Sequence, residues 1–261
     1  MLSPQLALPE MIRQLWAELN AAILFYTVLP LPQRWPTQFA GMSRWAPIVG
    51  VMLGLILTVS DRLLAVAQLP LPLRSLLIVL LAIALTGGLH LDGAMDTADG
   101  LAVPNPDRRL EVMSDSRTGA FGAIAAIAII SLKTLALCYL PAPRSLLILL
   151  IPVWGRWAQV LAIVRYPYLK AEGKGAIHKQ TGRGAIDLLP GAIALLIGIS
   201  AIARLQSLTV ALQLLAIGLF WTWTTGAWLQ KKLGGQTGDT YGAIVEWTEA
   251  LIWVSLTIGQ A

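Results

Sequence analysis

Long apolar runs constrain this chain more than any other feature. One of them has at its centre "SLLIVLLAIALT", residues 75–86. With their flanks such runs reach roughly 16–22 residues, the length an α-helix needs to cross the hydrocarbon of a bilayer. Eight segments have this character, at about 15–30, 45–60, 74–90, 119–140, 145–164, 186–203, 207–228 and 241–260. They are continuous and do not alternate with a period of two, which argues for helices over a membrane barrel. The first segment holds Glu18 and Asn20 and is short, so it reads equally as an amphipathic helix lying in the interface. The expected fold is all-α: one polytopic membrane helix bundle over residues 1–261, with six to eight transmembrane helices.

Charge supports this class. Only 13% of the 261 residues are charged and 56% are hydrophobic, where a soluble domain of this length carries roughly a quarter charged residues. Mean hydropathy is +0.70. The one cysteine, Cys138, excludes an intrachain disulfide. "MLSPQLALPEMIRQ" lacks a basic start followed by an apolar core, so a cleavable signal peptide is not expected. No nucleic-acid partner is expected; the partner implied by composition is the lipid bilayer.

The loops alternate between two sides. Those near 31–44, 91–118, 165–185 and 229–240 hold twelve basic residues, including Arg44, Arg117, Lys170, Lys174 and Arg183. The opposite side holds five: Arg13, Arg62, Arg74, Arg144 and Arg204. The positive-inside bias assigns the first set to the cytoplasm. Every loop rich in charge and glycine is in that set.

The chemistry concentrates there. In "GGLHLDGAMDTADGLA", residues 87–102, Asp92, Asp96 and Asp99 follow an apolar run directly. If the helix continues past Gly88, they stand at i, i+4 and i+7 on one face. Three clustered carboxylates repel one another, and a divalent cation relieves that. Ligands that are all oxygen suit Mg²⁺ or Mn²⁺. His90 reads either as an interfacial histidine bonded to backbone or as a general base or hydroxyl-orienting group. Arg117, in "SDSRTG" beside Asp115, fits a bidentate phosphate clamp or positive-inside anchoring. In "GGQTGDTYGAIVEWTEA", residues 234–250, glycines form a turn, and Asp239, Glu246 and Glu249 recur along one helix. Carboxylates inside a span are functional or paired. Arg156 and Lys133, both mid-span, are the available cations; Arg156 is the one read as functional. The loop "RYPYLKAEGKGAIHKQTGRG" suits a cover for a polyanion, and His178 within it carries no signal of its own.

Taken together, "HLDGAMDTADGLA", "EVMSDSRTGAFG", "RWAQVLAIVRYPYL" and the last block resemble the cobalamin synthase (adenosylcobinamide-GDP ribazoletransferase) family over essentially the whole chain. Ser114 stands where the family often has a basic residue. The resemblance implies an Mg²⁺-dependent transferase acting on adenosylcobinamide-GDP and α-ribazole or its 5′-phosphate, with release of GMP. Set against that reaction, the residue chemistry makes Asp92, Asp96, Asp99 and Asp239 the candidate metal ligands. The candidate catalytic residues are Arg117 and Arg156, for the leaving phosphate, and His90, with one of the aspartates as the alternative base; Asp115, Gly235, Thr237, Gly238 and Glu246 are the candidate substrate-binding residues. The resemblance is compatible with a homo-oligomer or with association with other cobalamin-assembly enzymes. Two rivals fit less well. A CDP-alcohol phosphotransferase needs Ala-Arg soon after Asp-Gly, and neither "DGAMDTADG" nor "DGLAVPNP" has it. A transporter lined by Arg156, Glu246 and Glu249 would be expected to show internal repeats.

Overall fold

The computed structural model describes residues 8–140, 143–170 and 175–258, so Lys174 lies outside the described residues. Eleven α-helices are found among them, with no strand beyond one isolated bridge between Tyr168 and Gln236. They are α1 (Leu8–Tyr26), α2 (Ala46–Val66), α3 (Leu71–Leu85), α4 (Leu89–Ala102), α5 (Arg109–Val112) and α6 (Ala120–Cys138). The series continues with α7 (Arg144–Arg165), α8 (Ala176–Gln180), α9 (Leu189–Leu205), α10 (Leu208–Leu233) and α11 (Gly238–Thr257).

Among the described residues, five helical segments are long and apolar enough to cross a membrane: Met42–Val66, Ala120–Cys138, Arg144–Arg165, Gly184–Leu205 and Leu208–Leu233. A sixth arises if α3 and α4 are counted as one bent unit. The two further segments read from the sequence form as helices but fall outside this set. Glu18 and Asn20 interrupt α1, and Asp239, Glu246 and Glu249 interrupt α11. Side chains such as Leu55, Val59, Ile127, Ile193, Ile197 and Leu219 point outward. That apolar exterior is the pattern of a bundle whose solvent is lipid.

The helices shuttle between two ends. At one end Asp61 closes α2 onto its neighbours, pairing with Arg74 at 3.0 Å and Arg144 at 2.9 Å. At the other end Gly41 donates to Thr181 at 2.9 Å, and Glu18 accepts from Arg44 and Arg183. Arg44, which the sequence places simply in a basic loop, is buried by this pairing. Both Glu18 and Val28, the latter bonded to Leu85 at 2.9 Å, sit at this second end. Helix α1 therefore runs along that end, which is the interfacial alternative of the sequence reading.

Helix α7 is the axis of the bundle and packs most closely on α2. The spacing Gly50-x-x-x-Gly54 makes that possible. A Cβ on Gly50 would lie 2.7 Å from the Pro152 carbonyl oxygen, so the backbones meet without side chains between them. Around Trp154, which is 1% exposed, Leu57, Ile78, Ile151, Leu195 and Ile252 build the main core. Helix α11 fills the remaining centre, against α7, α4 and α10.

Candidate active site

The chain does not run straight from α3 into the aspartate motif. Gly87 and Gly88 take φ of 60° and 73°, a left-handed conformation that glycine adopts without strain. The axis turns by 90°, and α4 lies across the end of the bundle. The sequence expectation of one continuous helix past Gly88 is corrected here. The spacing survives because Asp92, Asp96 and Asp99 all fall within α4.

Helix α4 is held against the first turns of α11. A Cβ on Gly93 would stand 2.6 Å from the Asp239 carbonyl oxygen, and one on Gly242 would stand 2.8 Å from that of His90. Only hydrogen at both positions permits this crossing. It brings Asp239 beside Asp92 in one cleft of about 180 Å³, with Gly238 also in its wall. Asp96 is pushed up to about 6, first by partial burial and then by the charges of Asp92, Asp239 and Asp99. Asp99 is committed differently. Its oxygens accept from the backbone N–H groups of Gly119 and Gly122, both at 2.8 Å, and so cap α6.

The start of α11 is equally ordered. Thr237 and Thr240 form a capping box, and Thr237 Oγ1 donates to Asp239 Oδ2 at 3.3 Å. Thr237 is fully buried and acts as a cap. Gly235 is buried where the turn packs on Pro167 and Leu169, and Gln236 bonds both residues at 2.9 and 2.8 Å. This clip delivers Lys170 to the site, where its Nζ meets Asp239 Oδ2 at 3.1 Å.

Behind the cleft runs a buried chain of charges. Lys133 on α6 contacts Glu246 at 2.6 Å and Glu249 at 2.7 Å, and Arg156 on α7 pairs with Glu249. Two cations thus face two anions. Arg156 Nη2 also meets His90 Nδ1 at 3.3 Å. A guanidinium only donates, so Nδ1 accepts and the neutral ring carries its proton on Nε2. Of the two roles open to His90, the geometry favours donating a hydrogen bond from Nε2 over removing a proton there. Arg156 reaches the cleft through His90 and not directly, and Glu246 is closed off by Lys133. The structure places both behind the site, buried in ion pairs, where the sequence reading has a catalytic and a substrate-binding group.

The 105–119 segment forms a second rim. Arg117 is exposed and grips Asp115 through two nitrogens at 2.7–3.2 Å. These hydrogen bonds hold the Asp115 carboxyl down at about 2. Both line a wide groove of about 530 Å³ that includes Asp99.

Several residues of the cleft escape sequence reading. Tyr26, Gln159, His178 and Tyr241 line it beside His90. Burial drives His178 down to about 4, so it is neutral near pH 7. Nothing local marks these residues, because four separate helices contribute them.

Among the described residues no three His, Cys, Asp or Glu side chains close into a metal cage. The open set of Asp92, Asp96 and Asp239 does fit a hard cation. Its donors are all oxygen, and their mutual repulsion is visible at Asp96. Mg²⁺ commonly binds through one or two carboxylates plus water and phosphate.

Comparison with known proteins identifies the family of the chain. Residues 18–257 match the family model described as cobalamin-5-phosphate synthase. A curated protein of Synechococcus elongatus named adenosylcobinamide-GDP ribazoletransferase is 93% identical over 250 residues, covering 96% of this chain and all of its own. The protein of that name from Trichormus variabilis is 50% identical, covering 95% of this chain and 99% of its own. That from Desulforamulus reducens is 39% identical, covering 94% and 98%. No solved structure matches the chain. The chain belongs to the cobalamin-5-phosphate synthase family, a family of transferases built here as a bundle of membrane helices.

Proposed function

We propose that this protein joins adenosylcobinamide-GDP to α-ribazole or its 5′-phosphate and releases GMP, in an Mg²⁺-dependent step at the cytoplasmic face of the inner membrane. Family membership supports the reaction. The observation that carries the chemistry is the meeting of Asp92 and Asp239, from two crossing helices, in the wall of one cleft, with Asp96 under the charge of both and Lys170 paired with Asp239. A ribose hydroxyl of the acceptor attacks the phosphorus bonded to the corrinoid's aminopropanol arm, and the bond to GMP breaks. Such transfers depend on positioning and charge neutralisation.

The chain's groups divide that work. Asp92, Asp96 and Asp239 would hold Mg²⁺, which when bound supplies positive charge at the diphosphate. Lys170, now paired with Asp239, is placed to take a phosphate oxygen once that carboxylate is engaged. His90 donates from Nε2 to an oxygen in the cleft, held in orientation by Arg156. Asp99 fixes α4 to the head of α6 and thereby holds the carboxylate row in place. Arg117, exposed on the groove that contains Asp99, is free to exchange Asp115 for a phosphate. The basic loops at this end support its cytoplasmic placement.

The test is turnover in nanodiscs with adenosylcobinamide-GDP and α-ribazole 5′-phosphate, following GMP and the corrinoid product. Release of GMP together with a completed lower loop, abolished by chelation and restored by Mg²⁺, is expected. Absence of both products from a folded preparation overturns the assignment.

A further inference from the structure

The cleft of about 180 Å³ that holds Asp92 and Asp239 in its wall carries more hydrogen-bonding capacity than the protein uses. Five of its lining side chains hold buried polar atoms without a partner: Tyr26 Oη, His90 Nε2, Gln159 Oε1, His178 Nδ1 and Tyr241 Oη. Each of these residues is at most 3% exposed. Tyr26 and Gln159 are close neighbours, yet neither atom completes a hydrogen bond. Buried polar atoms in native proteins are satisfied almost throughout, and an unmet one is destabilising. Five around one space mark a site whose partners arrive with a ligand.

The lining narrows what that ligand is. Among the described residues it contains no lysine or arginine, so the interior is not a phosphate pocket. Its walls are flat. The His90 and His178 rings lie 6.0 and 5.9 Å from Tyr26, inclined to it by only 22° and 11°, and Tyr241 stands 6.5 Å from His178. Such walls suit a flat ring with a polar edge. The corrin ring is far too large for this space. A benzimidazole joined to ribose offers one accepting nitrogen and no N–H, which leaves Gln159 Oε1 unmet. Guanine offers ring and amino N–H donors beside a carbonyl acceptor on one edge.

One polar atom of the lining fixes the polarity of that edge. Hydroxyls rotate, and the ends of an amide or a neutral imidazole exchange donor for acceptor. His90 has no such freedom, because Arg156 Nη2 faces its Nδ1 at 3.3 Å and leaves Nε2–H as a donor. It requires an acceptor opposite. Guanine presents its carbonyl there, whereas adenine carries an amino group in that place and sets donor against donor.

We propose that this cleft is the pocket that reads the guanine of the donor, with His90 Nε2–H donating to the guanine carbonyl and Gln159 Oε1 accepting from the adjoining N–H. The Tyr26 and Tyr241 hydroxyls complete the edge. The assignment rests on the function proposed above, and it names what selects the leaving nucleotide. With the base inside, the ribose leads back to the wall that holds Asp92 and Asp239, where the diphosphate is handled.

The experiment measures direct binding of GMP and of AMP to the unmodified protein in nanodiscs with Mg²⁺, and KM for each substrate separately. Ribose and phosphate are common to the two nucleotides, so their ratio reads the base alone. GMP is expected to bind about tenfold tighter than AMP, or more. Gln159→Leu is expected to bring the ratio within about twofold and to raise the donor KM about tenfold, with the acceptor KM moving less than about twofold. Tyr26→Phe removes one hydroxyl and nothing else; it is expected to weaken GMP binding by about fivefold and covers the case in which Gln159→Leu fails to fold. AMP bound as tightly as GMP overturns the assignment. So does GMP binding that neither variant weakens, or a rise in the acceptor KM alone, which would give the cleft to the acceptor's base. An unmodified protein without turnover fails the function proposed above, and the ratio of GMP to AMP binding, which needs no turnover, still decides the cleft.

Discussion

Asp96 shows how the site's chemistry is set by single residues. Partial burial and three neighbouring carboxylates raise its carboxyl from 3.8 to about 6. The folded protein therefore binds a proton there that the unfolded chain has released, and between about pH 4 and 6 this residue's contribution to stability falls as pH rises. Two outcomes are expected. Mg²⁺ affinity, measured calorimetrically from pH 7.5 to 5, drops by roughly tenfold per unit once pH passes below about 6, because metal and proton compete. Asp96→Asn removes one repelling charge, so at pH 7.5 without metal its Tm rises while turnover is lost. A lower Tm would show that Asp96 is stabilising as it stands. His90 yields to a similar argument. With Nδ1 turned to Arg156, the useful atom is Nε2–H. His90→Gln keeps an N–H at about that reach, so it should retain at least tenfold more turnover than His90→Ala, a difference of about 1.4 kcal/mol. Equal loss in both would restore His90 as a proton acceptor.

At the level of elements, the buried charges tie four helices together. Lys133 on α6, Glu246 and Glu249 on α11, Arg156 on α7 and His90 on α4 form one connected set. Such sets are weak net stabilisers when whole, but removing one member leaves an uncompensated buried charge. Lys133→Met is expected to cost about 3–5 kcal/mol and to lower Tm sharply. Adding Glu246→Leu should recover much of that loss, since one cation then again faces one anion. A double variant no better than the single would mean that the charges act independently. The sequence makes these residues visible as intramembrane charges, yet not their partners. Glu246 and Glu249 stand 113 and 116 residues from Lys133, and pairing over that separation is decided by tertiary packing. The helices themselves are legible because lipid demands continuous apolar length. The aspartate face is legible because 3.6-residue periodicity holds within α4. The bend at Gly87–Gly88 is the part of this region that periodicity hides, since the hydropathy of α3 gives no sign that the axis turns.

On the scale of the whole molecule, the two ends of the bundle differ in kind. One is closed by the Asp61–Arg74–Arg144 cluster. The other carries α1, α4 and the loop after α7, and with them every candidate site residue outside the buried charge set. This asymmetry was partly readable as a count of loop arginines and lysines. The cleft was not, because Tyr26, Gln159 and His178 look like ordinary core or loop residues until α1, α7 and α8 meet around α4. The same asymmetry makes the topology testable. Cys138 can be replaced to clear the background, and single cysteines introduced as Ser114→Cys in the segment between α4 and α6 and as Gln68→Cys in the turn between α2 and α3. Both positions are exposed, and they belong to opposite ends. With an impermeant maleimide applied to intact cells, Gln68→Cys should label and Ser114→Cys should not, while inside-out vesicles should reverse the pattern. Labelling of both from one side would separate them from any membrane boundary and undo the reading of α2, α3 and α6 as spans. Labelling of Ser114→Cys from outside alone would keep the spans and invert them, placing the carboxylate row away from the cytoplasmic nucleotide pool.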